Sequence, residues 1–442
     1  MHPGPFSSIL MFLKNLTVQV LLAAGLGVVL ALLVVDGPID KSAPPTWYEF
    51  ILLLKTLFLS ALRMLIAPMI FFSLIAGIAS IGSVLRLKTL GATTFSYYLG
   101  TTGVAITLGL LAVFLVHPWT AWPPAPQLAE ADVAVRMIDA QSGSLMVILQ
   151  QFLSLALTNP FTALVELNIL GIVTNAFLIG LAMVIVLPSE SPVFVLVHDV
   201  NQVIISVLTW VIRLLPIGIF AILFDFTLSV QSGGGQFEHI LSQLLAFGGL
   251  VIGLTLFHGL IVLPTIAWWF TRRSPMSLLR DLARPLIVAF STSSSAATLP
   301  VSMRTADEIL KVRNGTSSFV LPLGATMNMD GTALFEAVAA VFLAYLFDVP
   351  LGPAGIVLVF LMSMVASIGA PGMPSGSMAG MQLVLLSVGI PLEAIAILLV
   401  IERPLDTIRT SINVEGDLVG ALVVDELTAE HDSTDQAQVD VR

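Results

Sequence analysis

The chain has 442 residues and a formal net charge of −10, and 57% of its residues are hydrophobic while only 10% are charged. Soluble domains carry about 25% charged residues, so this composition excludes an ordinary soluble domain and indicates a polytopic membrane protein. The sequence contains no cysteine, which excludes disulfides, thiolate metal sites and cysteine nucleophiles. The six histidines show no metal-ligand spacing, and we expect them to be surface or isolated core residues.

Six apolar segments before residue 275 are long enough to cross a bilayer, and each is predicted to be a helical element. Their ranges are Leu16–Val35, Glu49–Ala79, Gly91–Val116, Leu145–Leu187, Val193–Val230 and Ile240–Phe270. The fourth segment is long and is broken by Asn159-Pro160. The first is too long for the core of a signal peptide and has no clear cleavage site, so we interpret it as a retained span.

Lysine and arginine residues fall in alternate connections between these segments. The positive-inside rule makes those connections cytoplasmic, which predicts that both termini lie inside a plasma membrane or a bacterial inner membrane. The connections at residues 118–143 and 231–238 are then external. Acidic residues concentrate after Val424, and residues 429–442 are predicted to form a solvated, acidic cytoplasmic tail.

After Arg284 the pattern changes, because two apolar segments have small or helix-breaking residues at their centres and are too short to cross the membrane twice. The first covers residues 275–303 with Ser291 to Ala297 at its tip, and the second covers residues 351–386 with Ser367 to Ser377 at its tip. We interpret both as re-entrant hairpins, each followed by a polar-centred span. The unit occurs twice in opposite orientation, which predicts a substrate site near the bilayer midplane.

The first polar-centred span runs from about Phe319 to Phe347 and contains Asn328-Met329-Asp330-Gly331-Thr332. A carboxylate at membrane depth is costly and normally marks a pathway for an ion or substrate, while a glycine lets the helix open its carbonyl groups toward a ligand. The alternative interpretation is a polar cluster that only holds packed helices together.

The last span, Ile395 to Val424, carries most of its polar residues on one stripe at 100° per residue. These residues are Glu402, Asp406, Arg409, Thr410, Asn413 and Asp417. Glu415 falls on the opposite face near the cytoplasmic end, where we expect solvent or lipid headgroups and no functional role.

Charge counting argues for bound cations, because Asp330, Asp406 and Asp417 outnumber Arg409 by two. A stranded buried charge costs several kcal/mol. Carboxylates, amides, hydroxyls and free carbonyls are hard oxygen ligands that suit Na⁺ better than a transition metal. Arg409 offers the planar fork that holds a carboxylate, and Asp406, one turn earlier, is placed to take an ammonium. The pair predicts an amino acid with an acidic side chain as substrate.

Four motifs resemble those of the dicarboxylate/amino acid:cation symporter family, which includes excitatory amino acid transporters and archaeal sodium-coupled aspartate transporters. They are Ser293-Ser294-Ser295, residues 328–332, the Gly-Pro tip of the second hairpin, and Asp406-x-x-Arg409-Thr410-x-x-Asn413-x-x-Gly416-Asp417. The resemblance covers nearly the whole chain and is densest after Arg284. It implies an all-α transporter, not an enzyme, with eight transmembrane helices and two re-entrant hairpins.

The resemblance also implies a homotrimer in the lipid bilayer that works as an elevator and has no nucleic acid partner. Residues 1–86 (spans 1 and 2) and 145–232 (spans 4 and 5) would form the scaffold. Residues 87–117 (span 3) and 237–428 (span 6, first hairpin, span 7, second hairpin and span 8) would move as the transport domain, and the second hairpin would gate the outside.

Within that family, Arg409 would hold the side-chain carboxylate of the substrate, Asp406 its amino group, and Asn413 its main-chain carboxylate. The remaining pocket residues would be Ser294, Ser295, Thr332, Met373, Ser377 and Thr410.

Three sodium sites are implied by the same resemblance. The first would use Gly324, Asn328, Asn413 and Asp417. The second would use backbone carbonyls of Thr326, Ser367, Ile368 and Ala370. The third would use Tyr98, Thr101, Thr102, Asn328 and Asp330. Three Na⁺ ions would neutralise the net −3 of the three aspartates, Arg409 and an acidic amino acid, with Glu336 neutral.

This chain lacks an arginine that family members carry at one of two positions. Archaeal members carry it at the first hairpin tip, where this chain has Ser293, and animal members carry it directly after the span-eight aspartate, where this chain has Thr407. Glu336 matches a glutamate that animal members use for proton cotransport and potassium countertransport, so H⁺ and K⁺ are further candidate coupling ions. The alternative for Glu336 is a permanently protonated acid that only makes hydrogen bonds.

Several other functions compete with a Na⁺-coupled glutamate or aspartate symporter. A proton-coupled carrier and a C4-dicarboxylate carrier are the nearest, although a dicarboxylate offers no ammonium to Asp406. An intramembrane hydrolase would need a base beside its nucleophile, and Ser293-Ser294-Ser295 has no histidine or lysine nearby in sequence. An anion channel could exist beside transport.

Overall fold

The computed structural model describes residues 16–34, 44–79, 90–124, 145–232, 237–369, 372, 376–391 and 394–439. Every regular element within those ranges is helical, which confirms the predicted all-α fold class. Five of the described helical segments are long and apolar enough to cross a membrane, namely Thr46–Ala79, Ala92–Val116, Pro192–Arg213, Glu238–Thr271 and Asn314–Leu346. The total of eight spans with two re-entrant hairpins stays a prediction.

The first half of the chain forms eight helices in the part that the structure describes. They are α1 (Leu16–Val34), α2 (Thr46–Ala79), α3 (Ala92–Val116), α4 (Leu145–Ala156), α5 (Pro160–Val165), α6 (Ile169–Val186), α7 (Pro192–Arg213) and α8 (Leu215–Ser232). Helices α6, α7 and α8 pack on α2, and α1 packs on α8.

The fourth predicted segment is divided into α4, α5 and α6. The break at Asn159-Pro160 is confirmed, because the Asn159 side chain accepts hydrogen bonds from the N–H groups of Phe161 and Thr162 and caps α5. A second break was not predicted. Asn168 caps α6 there by accepting a hydrogen bond from the N–H of Gly171, 3.1 Å away.

The fifth predicted segment, Val193–Val230, was wrong as a single helix. It consists of α7 and α8, which are separated at Leu214. Pro216 follows at the second position of α8, where its missing N–H breaks no helical hydrogen bond. The apolar composition continues through this break, which explains why hydrophobicity alone did not reveal it.

The second half begins with α9 (Phe237–Phe257), which continues through a π-helical turn (His258–Val262) into α10 (Leu263–Thr271). The later helices are α11 (Pro275–Thr292), α12 (Ser295–Thr305), α13 (Asn314–Met327), α14 (Asp330–Leu346), α15 (Pro353–Gly369), α16 (Ser377–Ser387) and α17 (Ile395–Val439). The pairs α11–α12 and α15–α16 correspond to the two predicted hairpins. Their interpretation as re-entrant is not tested by the helix bounds.

Helix α17 is the centre of this half, because α3, α9, α10, α11, α13 and α14 all pack against it. The expectation that Glu415 faces solvent or headgroups was wrong, since its relative exposure is 0%. A Cβ atom on Gly259, at the π-helical turn, would lie 3.0 Å from the Glu415 Oε2 atom. The helix is buried at every residue from 409 to 424, so this stretch has no outward face.

The contact between α1 and α8 depends on Gly27. Replacing Gly27 with alanine is expected to lower the melting temperature of the detergent-solubilised protein, because the new Cβ would lie 2.6 Å from the Phe220 carbonyl oxygen. Overpacking of this kind costs about 1–3 kcal/mol. Gly25→Ala in the same helix is the control, since no atom lies within 4 Å of its added Cβ. Equal melting temperatures for the two variants would contradict this packing.

Candidate functional site

The break between α13 and α14 places two predicted site residues, Asn328 and Asp330, in a buried polar centre. Both have a relative exposure of 0%. The Asp330 Oδ1 atom accepts hydrogen bonds from the hydroxyls of Thr101 at 3.2 Å and Thr102 at 2.7 Å. Asp330 also lies in the first turn of α14, where the helix dipole favours a negative charge.

The same centre connects three separate parts of the sequence. The Asn328 side-chain N–H group donates to the Asp417 Oδ1 atom at 3.1 Å. The Thr101 hydroxyl lies 3.5 Å from the Asn328 Oδ1 atom. The Tyr98 hydroxyl donates to the Val320 carbonyl at 2.7 Å, which attaches α3 to α13. Residues of α3, of the α13–α14 break and of α17 therefore meet in one place, and their role as sodium sites stays a prediction.

His258 was expected to be an isolated core or surface residue, and that expectation was wrong. Its ring is completely buried, and its Nε2 atom lies 3.1 Å from the Asp330 Oδ2 atom. The π-helical turn begins at His258 and aims the ring at the carboxylate. Metal-ligand spacing did not single out this residue. Its position within an apolar spanning segment did indicate a buried partner, because polar groups at membrane depth require partners.

Gly324 provides the space for the Asp417 carboxylate. A Cβ atom at position 324 would overlap the Asp417 Oδ1 atom and would lie 2.9 Å from the Tyr98 hydroxyl. Asn413, the fourth residue predicted for this sodium site, makes other contacts. Its Oδ1 atom accepts from the Gly331 N–H at 2.8 Å, and its side-chain N–H group donates to the Thr332 hydroxyl at 3.1 Å.

The structure describes three of the four residues of the second predicted sodium site. Ser367 and Ile368 line a cavity of about 10 Å³ together with Tyr98 and Thr102. A volume of this size holds about one water-sized particle. The Thr326 hydroxyl donates to the Leu323 carbonyl of its own helix at 3.2 Å. The remaining predicted ligand, Ala370, lies outside the described residues.

Arg409 is the most deeply buried cation of the site, with a side-chain exposure of 1%. Its Nη2 atom donates to the Ser377 hydroxyl at 3.0 Å, to Glu402 Oε1 at 3.0 Å and to Asp406 Oδ1 at 3.3 Å. The guanidinium carbon lies 3.9 Å from the centroid of the Phe335 ring. Within the described ranges, its Nε and Nη1 atoms have no hydrogen-bond partner. Arg409 is thus held from one side and retains buried donors for an anionic group.

Two contacts of Arg409 were missed at the level of the sequence. Glu402 was placed on the polar stripe but received no role, although its position seven residues before Arg409 puts both side chains on one helix face. Its relative exposure is 0%. The sequence did not indicate that Phe335 contacts Arg409, since aromatic residues are common in membrane-spanning helices. Only the packing of α14 against α17 brings its ring to the guanidinium.

The two hairpin tips touch each other. The Ser294 hydroxyl donates to the Gly372 carbonyl at 2.7 Å, and the Ala296 N–H donates to the same oxygen at 3.0 Å. Ser293 adopts a left-handed conformation with φ of 50°, which lets the chain turn between α11 and α12.

The other predicted pocket residues are placed as follows. Ser295, Thr332, Ser377 and Thr410 are all buried. Met373 lies outside the described residues.

Glu336, the predicted proton or potassium residue, is completely buried in α14. Its carboxyl oxygens have no hydrogen-bond partner among the residues that the structure describes. A Cβ atom on Gly380 of α16 would overlap the Glu336 Oε1 atom. This carboxyl group therefore lies directly beneath the second helix of the second hairpin.

Residues 16–427 match the model of the Sodium:dicarboxylate symporter family. The chain belongs to this family. It is therefore a membrane transporter and not an enzyme, and its family implies coupling to Na⁺. The resemblance expected from the sequence motifs is confirmed.

Individual relatives cover most of the chain. The human Neutral amino acid transporter B(0) is 32% identical over 395 residues, which are 83% of this chain and 71% of the relative. An Excitatory amino acid transporter from Caenorhabditis elegans is 31% identical over 406 residues, or 83% and 79% of the two chains. The human Excitatory amino acid transporter 5 is 28% identical over 423 residues, or 83% and 74%. Neutral and excitatory names both occur, so kinship alone does not assign the substrate of this chain.

Na⁺ is expected to raise the melting temperature of the purified protein relative to choline at equal ionic strength, because a ligand that binds the folded state stabilises it. Gly324→Ala should lose most of this rise, since its Cβ would displace the Asp417 carboxylate. Gly315→Ala in the same helix is the control, because no atom lies within 4 Å of its added Cβ. A full Na⁺ response in Gly324→Ala would contradict the assignment of Gly324 and Asp417 to a cation site.

Proposed function

We propose that this family member is a Na⁺-coupled symporter of acidic amino acids, L-aspartate or L-glutamate. The observation that carries the proposal is the state of Arg409, a buried guanidinium with N–H groups that lack a partner in the described part of the chain. A planar guanidinium binds a carboxylate through two parallel hydrogen bonds. A neutral amino acid would leave these donors unsatisfied, which costs about 1–3 kcal/mol or more for a charged group.

The other substrate groups have partners nearby. Asp406 lies next to Arg409 on α17 and is only 5% exposed, so it is placed to receive the substrate ammonium. Asn413 lies one turn further on and is assigned the main-chain carboxylate. The hydroxyls of Ser377, Thr332 and Thr410 and the tip residues Ser294, Ser295 and Met373 complete the proposed pocket.

Charge balance supports several coupled cations. In the centre, Asp330, Glu402, Asp406 and Asp417 are buried acids, Arg409 is a buried base, and Arg403 is a partly buried base. These groups carry a net charge of −2 when ionised, and an acidic amino acid makes it −3. Three Na⁺ ions would bring the loaded centre to zero, which removes the charge penalty of crossing the membrane. The oxygen-rich donor sets around Asp330 and Asp417 suit Na⁺.

The proposed movement is that of an elevator. Helices α1, α2 and α4 to α8 pack as one group, and helices α3 and α9 to α16 pack against α17 or against helices that contact it. We assign the first group to a fixed scaffold, in a homotrimer embedded in lipid, and the second to a transport domain that carries the site across. Both termini are assigned to the cytoplasmic side of the cell membrane.

Uptake of labelled L-aspartate into proteoliposomes tests the substrate and the ion together. We expect uptake under an inward Na⁺ gradient and no uptake when choline replaces Na⁺. Arg409→Ala should reduce uptake at least about 100-fold, because a bidentate charged contact is worth about 3 kcal/mol. Arg304→Ala is the control, since Arg304 is exposed and pairs with Glu308. Uptake that persists without Na⁺ but stops when the proton gradient is dissipated would favour a proton-coupled carrier instead.

Glu336 is assigned to H⁺ and K⁺ coupling, because its buried carboxyl oxygens have no hydrogen-bond partner among the described residues and it lies beneath a hairpin helix. Such a group is poised to exchange its proton for a cation. Glu336→Gln is expected to abolish both the acceleration of uptake by an inward pH gradient and any acceleration by internal K⁺, while Na⁺-driven exchange of aspartate continues. Glu415→Gln is the matched control, because Glu415 is an equally buried glutamate. The same loss in both variants, or in neither, would contradict this assignment.

A further inference from the structure

Helix α11 is buried on one face only. Its buried residues Leu278, Leu282, Pro285 and Ala289 recur every three or four positions and so share one face of the helix. Helix α11 packs against α10, α12 and α17, whereas the helices of this half that pack against α2 include α13, α15 and α16. The opposite face of α11 is therefore available to a partner outside the described residues.

The outer face of α11, defined by Arg280, Arg284, Ile287 and Phe290, lies opposite this buried stripe. At about 100° per residue, the four residues fall between about 120° and 240° from Leu278. Both arginines are exposed, and they lie about one helical turn apart. Ile287 is 67% exposed and Phe290 is 52% exposed. The outer face thus combines two cationic groups with apolar groups nearer the hairpin tip.

The positive charge of the outer face is not neutralised by neighbouring acids. Among the residues that the structure describes, the side chains of Arg280 and Arg284 make no ion pair and no hydrogen bond. Asp281, the acid next to them in sequence, makes no ion pair with either arginine. Both guanidinium groups can therefore receive an anionic group, and a guanidinium binds phosphate through two parallel hydrogen bonds.

The adjacent end of α10 indicates the level of the lipid headgroups. Trp268 is 42% exposed and Trp269 is 66% exposed, and the Arg272 guanidinium carbon lies 5.7 Å from the centroid of the Trp268 ring. Exposed tryptophans and arginines are typical of the boundary between membrane and water. Helix α10 ends at Thr271 and α11 begins at Pro275, so the short connection places the two helices side by side in opposite directions.

The helical rise then places the two kinds of side chain at different depths. Trp268 lies about 5 Å and Arg280 about 8 Å along their helices from the α10–α11 connection, at about 1.5 Å per residue. Arg284 lies one turn deeper, and its long stem can carry its charge back to the headgroups. Ile287 lies about 18 Å from the connection, which is hydrocarbon depth. The charges and apolar groups are thus arranged as in a lipid molecule.

We propose that the outer face of α11 binds an anionic phospholipid. The headgroup phosphate lies between Arg280 and Arg284, and an acyl chain runs along Ile287 and Phe290. A solvated face would instead leave these two apolar side chains in water, which is unfavourable. Because α11 ends next to Ser293, the lipid contacts the hairpin that carries part of the candidate site. This inference does not depend on which substrate or ion the protein carries.

The test measures the melting temperature of the purified full-length protein in detergent while dioleoylphosphatidylglycerol is added. This lipid is expected to raise the melting temperature more than neutral dioleoylphosphatidylcholine, because a ligand of the folded state stabilises it. In Arg280→Gln/Arg284→Gln, the phosphatidylglycerol concentration that gives half of the rise should increase at least about tenfold. The reason is that each arginine near an anionic surface contributes about a fivefold gain in affinity.

Arg304→Gln/Lys311→Gln is the matched control, because it also removes two exposed positive charges from this half of the chain. Its half-saturating concentration should stay within about twofold of the wild-type value. If the first double variant does not fold, Arg284→Gln alone should increase this concentration about fivefold.

Four results would overturn the inference. The first is an unchanged half-saturating concentration in the arginine variants, and the second is an equal increase in the control. The third is equal stabilisation of the wild-type protein by phosphatidylcholine, which would show apolar contact only. The fourth is equal stabilisation by sodium phosphate at the same phosphate concentration, which would show a site for soluble anions.

Discussion

The structure depends on the burial of several carboxylates in one membrane-embedded centre. An ionised group removed from water costs several kcal/mol unless other groups replace its hydration. Asp330 receives the hydroxyls of Thr101 and Thr102 and the ring of His258, and Asp417 receives the amide of Asn328. These neighbours come from α3, the π-helical turn and the α13–α14 break. The carboxylates therefore determine which distant segments must be adjacent, and the cations of the proposed function would compensate the charge that these neighbours leave.

Irregular backbone serves the same centre. The chain leaves helical conformation between α13 and α14 and between α11 and α12, and both places lie at the site. Such breaks survive in a membrane only where protein or a water-filled cavity satisfies the backbone polar groups. The Gly372 carbonyl accepts hydrogen bonds from Ser294 and Ala296, so one hairpin tip satisfies the other. Separation of the two tips would therefore expose polar groups of both to water. Access to the site is thus coupled to hydration of the tips.

The buried acids differ in what surrounds them, and this separates their roles. Glu402 forms an ion pair with Arg409 and fixes the guanidinium. Glu336 lies beneath α16 and Glu415 lies against the π-helical turn, and the carboxyl oxygens of both have no hydrogen-bond partner among the described residues. Glu336 lies against α16 of the second hairpin, so a change in its protonation would act on a helix of the proposed pocket.

The sequence by itself determined the all-α class, and it predicted the position and most residues of the candidate site. Asp406, Arg409, Asn413 and Asp417 were found because helical spacing places them on one stripe, and the break at Asn328 to Thr332 was found because polar residues and glycine interrupt an apolar segment. Only the tertiary structure decided the environment of Glu415, His258 and Arg403. Periodicity assumes one covered and one open face, whereas α17 is buried at every residue from 409 to 424, so the face of Glu415 was misjudged. The contact of His258 with Asp330 joins residues 72 positions apart. The ion pair of Arg403 with Asp406 depends on a side-chain conformation, which spacing along a helix permits but does not select.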